Sequence, residues 1–380
     1  MERAIPLGHL AGVRIAMSWV VPLVAALYAW SLAQPRGPLR SAVPAQAESS
    51  YWLAAGIGAA LFFLSLLAHE MGHALVGRHE GIKVRGITLT LLGGYTQFET
   101  EPETPGAELR VSGIGPLANF ACAGVFWVCS VALNGGFGLT ALMGEVFAWL
   151  AFVNLLLAVL NLLPGAPLDG AAVLGAVVWM VTRDRTKAQT ITAAIGLALG
   201  AGIAVWGFLL LYDRGNGSGL WWILVGLFIA TNARSRLRSA PAQGLLRQTR
   251  LGDVMLADPP LVPEWSTLSD VVARAEAWRP HTAFPVQAAD GRITGLLTAE
   301  LVLAVDPAGW SDVRAIDVAW PLDRVPTAMA DEAVLTALQR SQSADVDRIL
   351  VLWPDGRVAG TSGRDAAQRA LHRATANTPG

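Results

Sequence analysis

Two histidines and a glutamate lie close together inside an apolar stretch that begins at Tyr51. Residues 68–74 read Ala-His-Glu-Met-Gly-His-Ala. A helix stacks residues four apart on one face, so His69 and His73 can bind one metal ion together. Glu70 lies between them, where it can act as a general base on a water molecule at that metal. The spacing therefore predicts the metal site of a hydrolytic enzyme.

The apolar surroundings make this polar group costly unless it has a function. A charged side chain at the centre of a bilayer costs ~2.5–3.5 kcal/mol even on the most lenient insertion scale. Ionisable residues within membrane helices are therefore functional by default. We interpret His69, Glu70 and His73 as part of a zinc peptidase site that lies within a membrane.

The composition is typical of a membrane protein. The 380 residues are 53% hydrophobic and 15% charged, whereas soluble proteins have about 25% charged residues. A net charge of −1 gives no indication of nucleic acid binding. Cys122 and Cys129 lie in one apolar stretch without a Cys-x-x-Cys pair, so neither a disulfide scaffold nor a thiolate zinc site is predicted.

Six apolar stretches are long enough, or nearly so, to cross a hydrocarbon core that needs ~20 helical residues. They are residues 16–33, 51–77, 110–133, 140–162 with a continuation to 181, 190–212 and 220–232. The first could instead be a signal sequence, but it is too long and a cleavage site would lie too far beyond it. Basic clusters follow the second, fourth and sixth stretches, which predicts a cytoplasmic N-terminus. We therefore expect a multi-pass protein of the cell membrane, embedded in the lipid bilayer.

Residues 82–98 are too short and too polar to form another span. The sequence Ile-Thr-Leu-Thr-Leu-Leu, followed by Gly93-Gly94 and Tyr-Thr-Gln-Phe, predicts two short strands around a glycine turn. This hairpin could cap the bundle on its cytoplasmic side. Alternatively, it could be re-entrant and pair its free edge near Gly93 and Gly94 with an extended substrate, because a helical substrate must be unwound before cleavage.

A third metal ligand is needed, because catalytic zinc usually has three protein ligands and an open fourth position. Asp169 is the candidate, since it lies between apolar stretches and follows a segment that contains Pro164 and Pro167. The prolines break the fourth span, and broken helices at membrane depth line cavities or protein interiors. Asp169 could also cap the helix that follows. Glu145 is a rival carboxylate, but it begins its span near the outer side, far in depth from the histidines.

Polar residues near the break have two interpretations each. Asn161 could hydrogen-bond the substrate carbonyl or the developing oxyanion, or it could satisfy backbone groups that Pro164 frees. Asn119 could face the substrate or pack between helices among small residues. Pro164 and Pro167 are assigned to the same substrate-binding surface as Asn119.

The end of the chain has the composition of a soluble α/β domain. We predict a membrane domain over residues 1–240, a linker over 241–249 and a soluble domain over 250–375. The soluble domain contains a weak internal repeat of about sixty residues. Each copy predicts a strand, a helix, a strand, a turn, a strand and a helix, and we interpret the pair as a cytoplasmic regulatory or docking module.

Four motifs, in this order, resemble the site-2 protease family of intramembrane zinc metalloproteases. They are His69-Glu70-x-x-His73, Gly93-Gly94, Gly115-Pro116-Leu-Ala-Asn119 and Asn161-x-x-Pro164-x-x-Pro167-Leu-Asp169-Gly170. The end of the chain resembles a pair of cystathionine-β-synthase-type (CBS) repeats, which one bacterial and archaeal branch of the family carries. One departure follows Asp169-Gly170, where the family often has Gly-Arg and this chain has Ala171 and Ala172.

The resemblance implies one zinc ion bound by His69, His73 and Asp169, with Glu70 as the general base. It implies cleavage of a membrane-protein substrate within or beside its own transmembrane helix. In this family such cleavage often releases a sigma factor or removes an anti-sigma factor.

The CBS resemblance implies regulation and two kinds of partner. CBS pairs often bind an adenine nucleotide through a Gly-x-x-Ser/Thr-x-x-Asp sequence. The second repeat has Ser362 and Asp365 but Ala359 at the glycine position, and the first has Leu301 in place of the aspartate. CBS pairs also tend to associate, so a homodimer through this domain is a further expectation.

Two functions other than proteolysis fit the sequence less well. A metal or ion transporter would spread polar groups over several spans and often has an inverted repeat, neither of which is evident in the first 240 residues. An inactive sensor would signal through the CBS pair, but the intact His-Glu-His-Asp set argues against it. We therefore expect a polytopic α-helical membrane protein with about six transmembrane helices and a short re-entrant β-hairpin, joined to a soluble α/β CBS-pair domain.

Overall fold

The chain folds into two compact units, Met1–Arg238 and Ser239–Gly380. The computed structural model describes residues 4–90, 93–214, 218–341, 346–363 and 365–376. The elements of the N-terminal unit are β1 (Ala4–Leu10), β2 (Val13–Ser18), α1 (Val20–Ala33), α2 (Pro38–Ala42), α3 (Glu48–His79), β3 (Val84–Thr90), β4 (Gly93–Phe98), α4 (Pro105–Ala132), α5 (Leu139–Asn161), α6 (Asp169–Thr182) and α7 (Arg185–Arg214). Helix α8 (Ser218–Gln248) starts in the N-terminal unit and ends in the C-terminal unit.

Four helices among the described residues are long and apolar enough to cross a membrane, namely α3, α4, α5 and the segment Arg185–Tyr212 of α7. These helices carry large apolar side chains on their outer surfaces. Trp127 on α4 and Phe152 on α5 are each 62% exposed. Apolar surface of this extent suits lipid rather than water. Within the described ranges, the criteria of length and hydropathy are thus met by four of the six predicted spans.

The first predicted span, residues 16–33, differs from the structure because it joins the end of a strand to a short helix. Val13 and Ile15 are buried and Arg14 between them is exposed, which is the alternation of a strand with one buried face. The helix α1 that follows has 14 residues. At 1.5 Å per residue it is about 21 Å long, shorter than a hydrocarbon core of ~30 Å.

A four-stranded sheet packs against α3. Its strand order is β1-β2-β3-β4, with β2 and β3 parallel and the two outer pairs antiparallel. Its inner face joins α3 in one core cluster, whose buried members include Val13, Ile15, Ile87 and Leu89 from the sheet and Met71 and Ala74 from the helix. The predicted hairpin strands β3 and β4 are therefore half of a larger sheet, and β4 forms one of its edges.

The glycine pair Gly93-Gly94 has a different place from the one expected. Both residues belong to β4, where Gly93 pairs with Thr90 and Gly94 pairs with Leu89. Gly93 has a φ of +130°, a conformation that L side chains rarely adopt. The predicted turn falls on residues 91 and 92, which lie outside the described residues.

The fourth predicted span is broken, as its prolines indicate. Helix α5 ends at Asn161, α6 begins at Asp169, and the segment between them (Leu162–Leu168, the proline segment) contains Pro164 and Pro167. Helices α7 and α8 hold this segment. A Cβ added to Gly165 would lie 2.9 Å from Ile229 Cγ2 of α8, and one added to Gly196 of α7 would lie 3.3 Å from the Pro164 carbonyl oxygen.

The predicted linker over residues 241–249 is largely helical. Helix α8 continues through Pro241 and ends at Gln248. A proline inside a helix removes one backbone hydrogen bond, but alanine and leucine residues around it have high helix propensity. Leu246 near the end of α8 is 9% exposed and packs in an apolar core of the C-terminal unit.

The C-terminal unit consists of two four-stranded sheets with short helices. Its elements are α9 (Leu251–Val254), β5 (Leu256–Ala257), β6 (Val262–Pro263), α10 (Leu268–Arg274), β7 (Ala283–Gln287), β8 (Ile293–Thr298), α11 (Ala299–Leu303), α12 (Ala315–Val318), β9 (Trp320–Pro321), β10 (Thr327–Met329), α13 (Val334–Ser341), β11 (Arg348–Leu352), β12 (Val358–Gly363) and α14 (Asp365–Ala376). The sheets have the orders β6-β7-β8-β9 and β10-β11-β12-β5. Each copy of the repeat thus lends one short strand to the sheet of the other.

Candidate metal centre and active site

Helix α3 brings His69 and His73 together. Both are buried, with exposed fractions of 7% and 8%. Their Nε2 atoms lie 3.1 Å apart. This is the geometry that the spacing of four residues predicts for one face of a helix.

Asp169, the first residue of α6, completes the group. Its Oδ2 lies 3.2 Å from His69 Nε2 and 3.4 Å from His73 Nε2. The three ligand atoms all lie within 4.8 Å of one another. The capping alternative is wrong, because the N-cap of α6 is Leu168 and no side-chain capping hydrogen bond is present there among the described residues. Asp169 directs its Oδ2 to the two histidines instead.

Gly170 allows the proline segment to fold back on itself. A Cβ at this position would lie 2.3 Å from the carbonyl carbon and oxygen of Leu162 and 2.4 Å from the Leu163 oxygen. No side chain fits there, because real Cβ contacts are essentially never below 3.0 Å. The glycine therefore sets the position at which α6 starts, and with it the position of Asp169.

A backbone carbonyl on α4 orients one of the histidines. His73 Nδ1 donates to the Val111 carbonyl oxygen at 2.6 Å. With its proton on Nδ1, the imidazole presents a free lone pair on Nε2, and such a hydrogen bond to the second nitrogen is a regular feature of metal-binding histidines. His69 Nδ1 is buried and has no hydrogen-bond partner within the described part of the chain.

Gly115 lets α4 approach the histidines closely. A Cβ on this residue would lie 2.3 Å from His73 Nε2 and 2.6 Å from His69 Cε1. Asn119 lies four residues later, on the same face of α4. It is 1% exposed, and neither Nδ2 nor Oδ1 has a hydrogen-bond partner among the described residues.

The group fits a zinc ion. Two imidazole nitrogens and one carboxylate oxygen form a ligand set used by catalytic zinc, and three protein ligands leave a position open for a reacting molecule. Asp169 Oδ2 is buried and accepts no hydrogen bond from the described residues, so its lone pairs remain available to a cation. The missing side chain of Gly115 leaves room for the imidazole rings, because His73 Nε2 and His69 Cε1 lie where a Cβ would collide with them.

Glu70 is held by β4. It is 6% exposed. The Thr96 hydroxyl donates to its Oε2 at 2.8 Å and also lies 3.1 Å from its backbone oxygen. A Cβ on Gly94 would lie 2.4 Å from Glu70 Cγ. The carboxylate is therefore packed between its own helix and the edge strand of the sheet.

Asn161 and Glu145, which were also predicted from the sequence, belong to α5, and Pro164 and Pro167 belong to the proline segment. Asn161 is the last residue of α5 and is half-buried, while Pro164 and Pro167 shape the break before Asp169. Glu145, the rival ligand, is exposed and lines a separate apolar cavity of about 240 Å³ with Leu32, Val146 and Trp149. The cluster of candidate ligands found within the described ranges contains Asp169 rather than Glu145.

Ion pairs join the ends of the elements that surround the site. Arg110 of α4 donates two hydrogen bonds to Glu80, at 2.6 and 2.8 Å, just after α3. This contact lowers the pKa of Glu80 below its usual value. Arg185 at the start of α7 lies 2.9 Å from Glu101 and 3.7 Å from Glu108. The sequence motifs did not indicate any of these pairs.

The predicted nucleotide residues lie together at the end of the second repeat. Ser362 is buried, and its hydroxyl has no hydrogen-bond partner among the described residues. Asp365 pairs with Arg369 and lies 3.4 Å from Arg348. A cavity of about 780 Å³ in the C-terminal unit is lined by both repeats, and neither Ser362 nor Asp365 is among its lining residues.

Comparisons with known proteins identify the family. The model of peptidase family M50 matches residues 57–144 and 138–203. Rip3 of Mycobacterium tuberculosis, a zinc metalloprotease by name, is 36% identical over 340 residues, which are 90% of this chain and 86% of that protein. The chain therefore belongs to peptidase family M50. It is a metalloprotease of the site-2 protease type and a membrane protein.

Two solved structures are also similar to parts of the chain. A site-2 protease from Methanocaldococcus jannaschii is 24% identical, with a TM-score of 0.38, over 62% of this chain and 95% of that one. A CBS-domain-containing hemolysin-like protein of Oenococcus oeni is 14% identical, with a TM-score of 0.30, over 34% of this chain and 96% of that one.

Proposed function

We propose that this chain is a zinc endopeptidase that hydrolyses a peptide bond within or next to a transmembrane segment of a membrane-bound substrate. In this proposal His69, His73 and Asp169 hold one zinc ion, and Glu70 is the general base. The observation that carries it is the convergence of the three ligand atoms, one from α6 and two from α3, beside the buried Glu70. Helix α3 is long and apolar enough to cross a membrane. Intramembrane ionisable groups of this kind are functional by default.

The chemistry follows from the arrangement of these side chains. When bound, zinc supplies a Lewis acid that polarises a carbonyl and lowers the pKa of water. Glu70 takes the proton of the attacking water and later gives it to the leaving amine. Val111 keeps His73 in the tautomer that binds metal through Nε2, because its carbonyl oxygen accepts the Nδ1 proton.

We assign substrate binding to the edge strand β4. Its edge is unpaired in the strand order of the described sheet, and its residues Gly94 and Thr96 contact Glu70. An extended peptide added to such an edge gains backbone hydrogen bonds and exposes its peptide bonds to the base. Gly93 and Gly94 keep the start of this edge free of side chains. We assign the side of the bound peptide away from β4 to Asn119, Asn161, Pro164 and Pro167.

The C-terminal unit is assigned a regulatory role. In this proposal the CBS pair is cytoplasmic and modulates cleavage of a regulator such as a sigma or anti-sigma factor. The buried Ser362 hydroxyl without a partner and the carboxylate of Asp365 support a weak adenine nucleotide site. Association of two CBS pairs into a homodimer belongs to the same proposal.

The substitution Glu70→Gln tests the proposed chemistry. It should abolish cleavage of a fluorescently labelled peptide that contains one transmembrane segment, in detergent solution, because an amide cannot take the proton from water. The zinc content, measured by mass spectrometry of the metal, should stay at one ion per chain. Substrates held by the inactive protein can then be identified after crosslinking in membranes.

Glu145→Gln is the matched control, because Glu145 is also a carboxylate in an apolar helix but lines a separate cavity. It should leave both cleavage and zinc content unchanged. Cleavage retained by Glu70→Gln would contradict the assignment of the base.

A further inference from the structure

Thr96 is the hydrogen-bond donor that contacts the Glu70 carboxylate within the described residues. Its Oγ1 lies 2.8 Å from Oε2. Glu70 is buried, so little water is available to take the place of this contact. A hydrogen bond to a charged group is shorter and about twice as strong as a neutral one.

Two residues of β4 act on Glu70 from the same side. Gly94 and Thr96 are two positions apart, so they share one face of the strand. The Gly94 backbone packs against Cγ of Glu70, and the hydroxyl of Thr96 binds the carboxylate at its end. The side chain is therefore fixed at its middle and at its tip, which leaves Oε1 as the oxygen without a bond to this strand.

The same strand offers its backbone edge away from β3. Thr96 is paired with Ile87 of β3 on one side, and its other side is the edge of the sheet. A peptide that binds along this edge would not displace the Thr96 side chain, because side chains of a strand point out of the plane of the sheet.

We propose that Thr96 is a positioning residue, whose hydroxyl fixes the Glu70 carboxylate in the orientation required to accept a proton. The inference rests on the proposed role of Glu70 as general base. It gives β4, the strand to which we assign substrate binding, a second role. Through Thr96, this strand keeps the Glu70 carboxylate aligned with the bound peptide bond.

Thr96→Val provides the test, because valine keeps the shape of threonine and removes the donor. The turnover number on the same labelled transmembrane peptide should fall about 10- to 100-fold, a part of the 10²–10⁴-fold that a positioned base contributes. KM should stay within about twofold, since the ground-state contacts of the substrate are unchanged. Zinc content should remain that of the unchanged protein. Thr96→Ser, which restores the hydroxyl, should recover turnover to within about threefold of the original value.

Thr88→Val on β3 is the matched control, because the Thr88 hydroxyl accepts from Gln97 and does not contact Glu70. It should leave turnover unchanged. A Thr96→Val protein with full turnover, a Thr96→Ser protein as slow as Thr96→Val, or a loss of zinc that matches the loss of turnover would each overturn the inference.

If Thr96→Val folds poorly, a second pair of variants provides the test. Thr96→Ala and Thr96→Ser both lack the methyl group, so a difference in turnover between them reports the hydroxyl alone, and equal turnover would overturn the inference. Activity of Glu70→Gln would instead contradict the proposed function itself, so the two failures give different results.

Discussion

At the scale of single residues, the geometry of the candidate metal centre depends on the lack of a side chain at Gly115 as much as on the three ligands. The three ligand atoms crowd within 4.8 Å, and α4 passes beside them at a glycine. Any other residue at position 115 would place its Cβ 2.3 Å from His73 Nε2. The close packing of α4 on the two imidazole rings thus depends on this glycine.

Gly115→Ala tests this close approach. The new methyl group would lie 2.3 Å from His73 Nε2, so the histidine or the helix must move. We expect a fall in zinc affinity of about 10- to 100-fold, the size of effect seen when a ligand loses its supporting contacts. Competition with a chelator of known affinity measures it.

Gly113→Ala is the control, because a Cβ there has no neighbour within 4 Å on the same helix. It should bind zinc as tightly as the original protein. Equal affinities for all three proteins would contradict the proposed role of Gly115.

At the scale of elements, the site is assembled by a helix, a broken helix pair and a sheet. In the proposed site, helix α3 supplies two ligands and the base, and the start of α6 supplies the third ligand; β4 contacts the proposed base, Glu70. The sequence indicated the first two parts, because the spacing of His69 and His73 and the two prolines before Asp169 are local patterns. Thr96 could not be inferred in the same way, since nothing in a strand residue indicates which side chain of a distant helix it contacts.

The strands β1 and β2 also could not be predicted from the sequence, for a physical reason. Pro6 and Gly8 interrupt the alternation of β1, and every residue of β1 is exposed. β2 runs directly into the apolar helix α1, so its period of two is lost in a continuous apolar stretch. The pairing of β2 with β3 joins segments on either side of α3, a contact that local pattern does not encode.

Gly170→Ala tests the break between α5 and α6. The methyl group would overlap the Leu162 carbonyl group at 2.3 Å, so the proline segment must open and carry Asp169 away from the histidines. We expect a loss of about 1–3 kcal/mol in the free energy of unfolding, the usual cost of overpacking. Zinc content should fall together with the melting temperature.

Gly175→Ala on the same helix is the comparison variant. Its Cβ would lie 3.6 Å from Thr192 Oγ1, an ordinary contact, so stability and zinc content should both be retained. An unchanged zinc content in Gly170→Ala would show that the position of Asp169 does not depend on this turn.

At the scale of the whole molecule, the two units have separate cores. The C-terminal unit contains its own apolar clusters, and one of them joins Leu296 of the first repeat to Leu350 of the second. Both side chains are at most 1% exposed. The two repeats are therefore expected to unfold together, while the candidate metal ligands His69, His73 and Asp169 all belong to the N-terminal unit.

Leu350→Ala tests this separation. Removal of a buried leucine side chain usually costs about 2–5 kcal/mol. Hydrogen exchange of the full chain should become faster in β11 and β8, and the zinc content should not change. Leu303→Ala, at a position that is 74% exposed, should leave the exchange rates as they were. Loss of zinc from Leu350→Ala would contradict the expectation that metal binding does not require this core of the C-terminal unit.

The parallel pairing of β2 with β3 has a consequence for the folding of the chain during its synthesis. Ile15 in β2 pairs with Ile87, which follows the whole of α3. During synthesis β1 and β2 emerge first, and one edge of this early hairpin has no partner until β3 has been added. Unpaired edges are sites of wrong association, so we expect correct folding of the nascent chain to depend on the prompt formation of α3, which separates β2 from β3 in the sequence.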